Sequence, residues 1–319
     1  MKHFLITTIT FLFAFNLNAQ KVQSDKQAIA LNKEIFKIIK KNSLFTNELN
    51  WKNIESESKA LILEVNDSNN EQIIFDFYIK KLREIGDKHS LFYSSKKING
   101  IKDSPLAEYP QGEYLVNGIG WIKVPRCSTF DEKKDAEFAN TIRSLIEKMD
   151  KENTIIGWIV DLRGNGGGNM WPMLAGLNAL IEDGIVGYAT NGKFKEPWIS
   201  VNSKIYNKQT LNTYKIKNKN SKIAILFDEN TGSSGEMTAV SFFGLSNVKS
   251  FGQKSAGYTT ANYTFPLSNG GQLLLARAYI MDRAGKSYKG ELTPDVLVSD
   301  LSNTKNDKVV STAIEWLSE

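Results

Sequence analysis

Two apolar runs that end in contrasting turns constrain this chain most. Residues 155–168 read IIGWIVDLRGNGGG: an apolar stretch, Ile155 to Val160, meets Asp161 and Arg163 and then Gly164, Gly166, Gly167 and Gly168. Residues 222–236 read KIAILFDENTGSSGE: a second apolar stretch, Ile223 to Phe227, ends in a polar turn with Ser233, Ser234 and Glu236. Each reads as a buried strand that stops and passes its chain through a loop to a helix. In open α/β folds, sites gather in loops outside the carboxyl ends of such strands. One loop offers bare backbone N–H groups and the other a hydroxyl. That pairing suggests acyl transfer, a nucleophile beside an oxyanion hole.

The rest of the chain sets the frame. Its 319 residues suffice for one large domain or two ordinary ones. Apolar residues at 41% and charged residues at 24% make it globular. A net charge of +5, from 40 basic and 35 acidic residues spread along the chain, is no nucleic-acid signature. The one basic cluster, residues 211–222, reads as a solvated loop. At the N-terminus, Lys2 and His3 precede the apolar run Phe4 to Phe15 and then Asn18-Ala19-Gln20. That order predicts a secretory signal peptide over 1–19, cut after Ala19, against the alternative of a buried N-terminal helix. The expectation is an exported protein, periplasmic or secreted. No later stretch is long and apolar enough to span a membrane. Cys127 is the single cysteine, so no internal disulfide can form.

Helical apolar spacing recurs over 24–42, 48–65 and 70–85, with Gly86 as the stop, and predicts an N-terminal helical region spanning 20–98. Residues 99–113 are turn-rich and read as a linker. From 110 to 319 a core is expected. Its elements are a strand at 118–125, a helix at 131–150, the strand at 155–160 and a helix from Pro172, suited to a first helical position, to Ile181. Short strands and turns follow over 184–220, then the strand at 223–227 and a helix through 237–243. The stretch 248–298 is strand-rich, with a hairpin turning at Ser268-Asn269-Gly270-Gly271. Strand–helix alternation followed by strands predicts an α/β core behind a helical cap.

The bland readings of the two loops are an N-cap for Ser233 or Ser234 and a close-packed turn for the glycines. GNGGGN carries neither phosphate-loop nor dinucleotide spacing, and Asp161 and Arg163 can simply brace the turn. Histidines sharpen the choice, because the chain has two, His3 and His89. Once a signal peptide is removed, any Ser–His mechanism must use His89 as base. The same scarcity argues against catalytic zinc, and no metal or cofactor is expected.

The motifs together resemble the S41 serine peptidases, the C-terminal-processing or tail-specific group. Asp87-Lys88-His89-Ser90, GIGWIKVP at 118–125, the Asp-Leu-Arg-x-Asn-x-Gly-Gly stretch at 161–168, TGSSGE at 231–236, FGQKSAGYTTAN at 251–262 with FPLSNG after it, and GELTPD at 290–295 occur in family order. The resemblance implies a ClpP/crotonase-like ββα core with an N-terminal helical cap region and a strand-rich C-terminal part. It implies Ser233 as nucleophile, with oxyanion donors from the N–H groups of Gly167 or Gly168 and of Ser234. Relatives that use a Ser–Lys dyad carry Lys where Tyr258 stands here, and Lys254 matches the wrong position. The tricorn-like branch uses Ser, His and a Glu, which implies His89 as base and Glu291 as its orienter. Tyr258, Glu236 and Thr260 are expected to line the site. Many relatives insert a PDZ domain between the His segment and the core; the roughly thirty residues here leave no room for one. The expected partner is a peptide or an unfolded protein segment, with no nucleic acid and no membrane span. The alternatives are an inactive binding protein of the same fold, holding a peptide or an apolar ligand, and an esterase on the same site.

Overall fold

The structure, a computed structural model, describes residues 26–64, 70–181, 183–201, 204–205, 213–299 and 308–319. The signal-peptide expectation for residues 1–19 lies outside the described residues. In chain order the elements are α1 (26–42), α2 (Trp51–Glu64), α3 (Asn70–Glu84), β1 (Leu91–Tyr93), α4 (Ser95–Asp103), β2 (Gln111–Leu115), β3 (Ile119–Lys123) and α5 (Glu132–Glu152). Next come β4 (Gly157–Asp161), α6 (Met170–Ile181), β5 (Gly184–Thr190), β6 (Lys195–Val201), β7 (Lys204–Ile205), β8 (Lys222–Phe227) and α7 (Ser234–Val240). The chain ends through β9 (Val248–Gly252), β10 (Thr260–Pro266), β11 (Gln272–Met281), β12 (Ser287–Tyr288), β13 (Val296–Leu297) and α8 (Lys308–Ser318). They divide into two compact units: residues up to Lys97 with Asn262–Arg277, and Ile98–Ala261 with Ala278–Glu319. Residues 262–277, which the sequence pattern groups with the C-terminal strands, thus count with the helices.

In the first unit α1, α2 and α3 turn their apolar stripes inward. Ile35, Ile39, Ile54, Ile74 and Leu82 pack into one core with Leu267, Leu273 and Leu275 of the hairpin. Burying these side chains is worth on the order of 2 kcal/mol each. The polar groups caught in this core are satisfied: the Tyr78 hydroxyl donates to Asn32 Oδ1 (2.7 Å), and Asn32 Nδ2 donates to Ser58 Oγ (3.3 Å). β1 pairs antiparallel with the start of β11, Leu91 opposite Leu274.

The second unit is built on a six-stranded sheet, ordered β13-β9-β8-β4-β3-β2, parallel except for β2 at one edge. Side chains alternate across it. Ile119 and Trp121 face one way, into a cluster with Ile159, Leu226, Phe251 and the Val310, Ala313 and Leu317 stripe of α8. Ile122 faces the other way, toward Leu145 and Met149 of α5, all three bordering Gly112. α5 and α6 approach closely at Gly176, where a Cβ would stand 2.6 Å from Ile142 Cβ. Every residue of β4 is buried, as expected of a central parallel strand. β5, β6 and β7 form a separate antiparallel ribbon joined to Tyr279–Met281 of β11. The fold is mixed α/β with helices and two sheets.

Three local expectations shift. The second half of α4 occupies the start of the stretch read as a linker; Ser94 Oγ accepts the Lys97 N–H at the helix start, and Lys134 Nζ binds the Lys102 and Ser104 carbonyls at its end. α6 starts at Met170, two residues before Pro172, because Asn169 Oδ1 accepts the Trp171 N–H (3.1 Å) as a side-chain cap. α7 begins at Ser234, directly after the candidate nucleophile. Among the described residues no helix is long and apolar enough to cross a membrane.

Candidate active site

β4 and β8 are neighbours in register, Asp161 opposite Leu226, so both critical loops leave the same carboxyl edge of the sheet. The turn after β4 is locked before any glycine is reached. Asp161 and Arg163 form a buried two-point ion pair, Nε to Oδ1 at 2.9 Å and Nη2 to Oδ2 at 2.6 Å. Lys123 Nζ of β3 adds bonds to Asp161 and to the Arg163 carbonyl. From the β8 side, Asp228 Oδ1 accepts the Gly164 N–H (2.9 Å) and the Asn230 N–H, and the Thr231 hydroxyl donates to the Leu162 carbonyl (2.9 Å). The two turns therefore behave as one body.

Asn165 is the hub between them. Its Nδ2 donates to the Val124 and Pro125 carbonyls (3.0 and 3.2 Å), its Oδ1 accepts the Gly167 N–H (3.0 Å), and its own carbonyl accepts the Gly232 N–H (3.0 Å). At Gly235 a Cβ would lie 2.4 Å from that carbonyl, so α7 begins in contact with the glycine loop.

Ser233 sits at this junction with φ 54° and ψ −120°. It and Asn117 are the two non-glycine residues of positive φ among the described residues. The cost of such a conformation is on the order of 1–3 kcal/mol and must be held by its surroundings. Gly167 lies against it: a Cβ there would come 2.8 Å from Ser233 Cβ and 3.2 Å from its Oγ. Of the two glycine donors expected from sequence, the Gly167 N–H is engaged by Asn165, whereas the Gly168 N–H has no acceptor among the described residues. The Ser234 N–H opens α7, where the first N–H groups lack intrahelical acceptors. Ser234 Oγ donates to the Gly168 carbonyl (2.6 Å) and ties the helix to the glycine strip.

Glu236, expected to line the site, lies beneath it with no exposed surface. Its Oε2 accepts the Ser233 N–H (2.8 Å), and its Oε1 accepts the Ser255 hydroxyl and the Gly257 N–H (2.8 Å). Burial pushes this carboxyl up to about 7, against the opposing pull of its bonds to Ser255 and to the Gly257, Ser233 and Tyr258 N–H groups. Glu236 thereby fastens the Ser233 turn to the segment carrying Tyr258. Tyr258 packs its ring on Gly232 and is 38% exposed; Thr260 opens β10 half-buried. Glu291 is solvent-facing and pairs with Lys254 at 3.3 Å, its backbone against Gly257.

His89 belongs to the first unit, in the Asp87–Ser90 turn, and is buried. The turn is tightly held. Asp87 Oδ1 accepts the N–H groups of His89 (3.0 Å) and Ser90 (2.9 Å), and Asp87 Oδ2 accepts the Ser90 hydroxyl. Arg83 donates to the Asp87 and Ser90 carbonyls, and Asn262 Nδ2 donates to the His89 carbonyl (2.9 Å). Among the described residues no group of three or more His, Cys, Asp or Glu side chains gathers as a metal site. Sequence reasoning did not single out Asn165, Ser255, Asp87 or Arg83. Asn165 carried a usable signal, its fixed place inside the Asp-Leu-Arg-x-Asn-x-Gly-Gly stretch.

Comparison with known proteins identifies the family and the fold. The profile of peptidase family S41 matches residues 118–298. The chain is 32% identical over 317 residues to the nisin-resistance protein of Lactococcus lactis subsp. lactis, covering 98% of this chain and 93% of that protein. The structure of a lipoprotein from Streptococcus agalactiae superposes with a TM-score of 0.76 at 28% identity, over 91% of this chain and 96% of the other. The photosystem II D1 C-terminal processing protease shares the fold, with a TM-score of 0.55 at 12% identity over 91% of this chain and 97% of the other.

Proposed function

Because the chain belongs to peptidase family S41, we propose that it is an exported serine peptidase that cleaves peptides or unfolded protein segments through an acyl-enzyme on Ser233. The observation that carries the reading is the backbone of Ser233: a non-glycine residue held at φ 54° at a strand-to-helix turn, against a glycine strip. Strain of this kind persists where function needs a side chain in one place. In the proposed reaction Ser233 Oγ attacks the scissile carbonyl and passes its proton to His89. The Gly168 and Ser234 N–H groups bind the oxyanion that forms. His89 gives its proton to the leaving amine, then takes one from the attacking water and returns it to Ser233 Oγ as the acyl–oxygen bond breaks. Glu291 is the proposed orienter of His89, and Tyr258 and Thr260 are proposed to border the substrate.

Substrate class and location rest on likeness. The relative named for nisin resistance makes nisin the first substrate to test, beside unstructured peptides. The relative named as a lipoprotein supports an extracytoplasmic place, as does the N-terminal sequence. The test is mass-spectrometric mapping of a fluorophosphonate adduct, with His89→Ala as control. An adduct at Ser233 that fades in the variant supports the mechanism. An adduct that survives assigns the base elsewhere. No adduct removes the activated serine and favours a binding protein, a reading that Tyr258 at the family's Lys position keeps open.

A further inference from the structure

The glycine strip is also held by the loop after β3. Cys127, in the loop after β3, makes a short parallel bridge with Gly168: the Cys127 N–H donates to the Gly167 carbonyl (3.2 Å), and the Asn169 N–H donates to the Cys127 carbonyl (2.6 Å). The peptide unit is planar and trans, so its C=O and N–H point opposite ways. With the Gly167 C=O turned to Cys127, the Gly168 N–H of the same unit turns away from Cys127. This bridge admits no side chain, since a Cβ on Gly168 would fall 2.0 Å from the Cys127 carbonyl oxygen.

Asp135 closes the arrangement. It stands in the first turn of α5, where an acidic residue is ordinarily explained by the helix dipole. Its carboxylate serves other groups: Oδ2 accepts the Asn169 Nδ2 (2.8 Å), and Oδ1 accepts the Thr129 hydroxyl and faces Cys127 Sγ at 3.8 Å. Both strands of the bridge, 127–129 and 167–169, are thus tied to one side chain. Asn169 uses its other amide atom, Oδ1, to cap α6. The α5 cap is supplied separately by Asp131, which accepts the Lys133 and Lys134 N–H groups.

We propose that Asp135 is a positioning residue for the oxyanion strip, holding Asn169 against the Cys127 loop so that the Gly168 N–H keeps its direction. This rests on the peptidase reading for its effect on rate, though not for its effect on the strip. Burial raises the Asp135 carboxyl, opposed by its bonds to Thr129 and Asn169, so the group is retained at an electrostatic cost.

The experiment compares the full chain with Asp135→Ala and Asp135→Asn by hydrogen exchange over residues 163–170 and by kcat and KM on a peptide that the wild type cleaves. In Asp135→Ala the strip exchanges faster while β8 and β9 keep their protection. There kcat falls about tenfold or more, toward the loss of one oxyanion donor, and KM stays within about twofold. Asp135→Asn recovers most of both, because its amide oxygen still accepts from Asn169. Unchanged exchange in the strip of Asp135→Ala overturns the proposal. So does a uniform rise across the second unit, which marks a merely structural role, or faster exchange with unchanged kcat. If wild-type Ser233 proves inert, the peptidase reading falls, and the exchange comparison still decides whether Asp135 holds the strip.

Discussion

Glu236→Gln isolates the energetics of the carboxylate beneath Ser233. The carboxyl is fully buried and is pushed from 4.5 to about 7. Each pH unit between folded and unfolded values is worth about 1.4 kcal/mol, so ionising Glu236 costs the fold about 3 kcal/mol in full. The sign depends on which state holds the proton. Below 4.5 both states are protonated and the group costs nothing. As pH rises toward 7 the unfolded chain ionises while the folded one keeps its proton, so stability falls; above 7 both ionise and the loss is complete. Between pH 5 and pH 8 the wild type therefore loses about 2–3 kcal/mol relative to Glu236→Gln. Glutamine brings a cost of its own. It offers one acceptor oxygen where the carboxylate has two, and its amino group faces N–H donors that Glu236 satisfied. Each unmet buried donor costs roughly 1–3 kcal/mol. That cost is the same at both pH values and cancels in the comparison. Urea unfolding at pH 5 and pH 8 supplies the four numbers. A gap between wild type and variant that is the same at both pH values, within about 0.5 kcal/mol, would refute the buried, reluctant carboxyl.

Three glycine and serine changes test the geometry more directly. Ser233→Gly removes the Cβ from a positive-φ position and should raise stability by about 1 kcal/mol in a thermal melt, with complete loss of the fluorophosphonate adduct. Gly235→Ala reverses the usual preference for alanine in a helix, worth about 1 kcal/mol: its Cβ would lie 2.4 Å from the Asn165 carbonyl, so denaturation should show a loss of about 1–3 kcal/mol. Gly167→Ala places a Cβ 2.8 Å from Ser233 Cβ at φ 103° and should lower the Ser233 labelling rate about 100-fold or more.

The central strands were legible because burial on both faces leaves a chemical trace: β4 and β8 are continuous apolar runs, and no amphipathic helix is written that way. The loops after them were legible as glycine-rich and hydroxyl-bearing. Other features were hidden for distinct reasons. Asn99 and Gly100 obscure α4, whose ends are satisfied by Ser94 and by the distant Lys134. α6 starts early because Asn169 caps it, and Pro172 tolerates the third position as well as the first. Glu236 carries the local signature of a capping partner three residues after Ser233. Its other partners, Ser255 and Gly257, are 19 and 21 residues downstream, and no local pattern announces them. The hairpin was readable from Ser268-Asn269-Gly270-Gly271; its share in the helical core depends on Leu267, Leu273 and Leu275 meeting α1–α3, which spacing alone does not encode.

Two forces on Ser233 can be separated. Its backbone N–H is held from below by Glu236, and its Cβ is confined from above by Gly167. If Glu236 is what maintains the positive φ, its hydrogen bond opposes a strain in the wild type that a glycine at 233 removes, because glycine adopts that conformation at little cost. Glu236→Gln should then destabilise a Ser233→Gly background more than it destabilises the wild type, by about 1 kcal/mol at pH 5, because in the wild type losing the bond also lets the strain at Ser233 relax. If packing against Gly167 and the Asn165 carbonyl maintains the conformation, the two substitutions act independently and their effects add within about 0.3–0.5 kcal/mol. The cycle therefore assigns the strain: coupling places it on the bond from Glu236 to the Ser233 N–H, and additivity places it on the glycine strip.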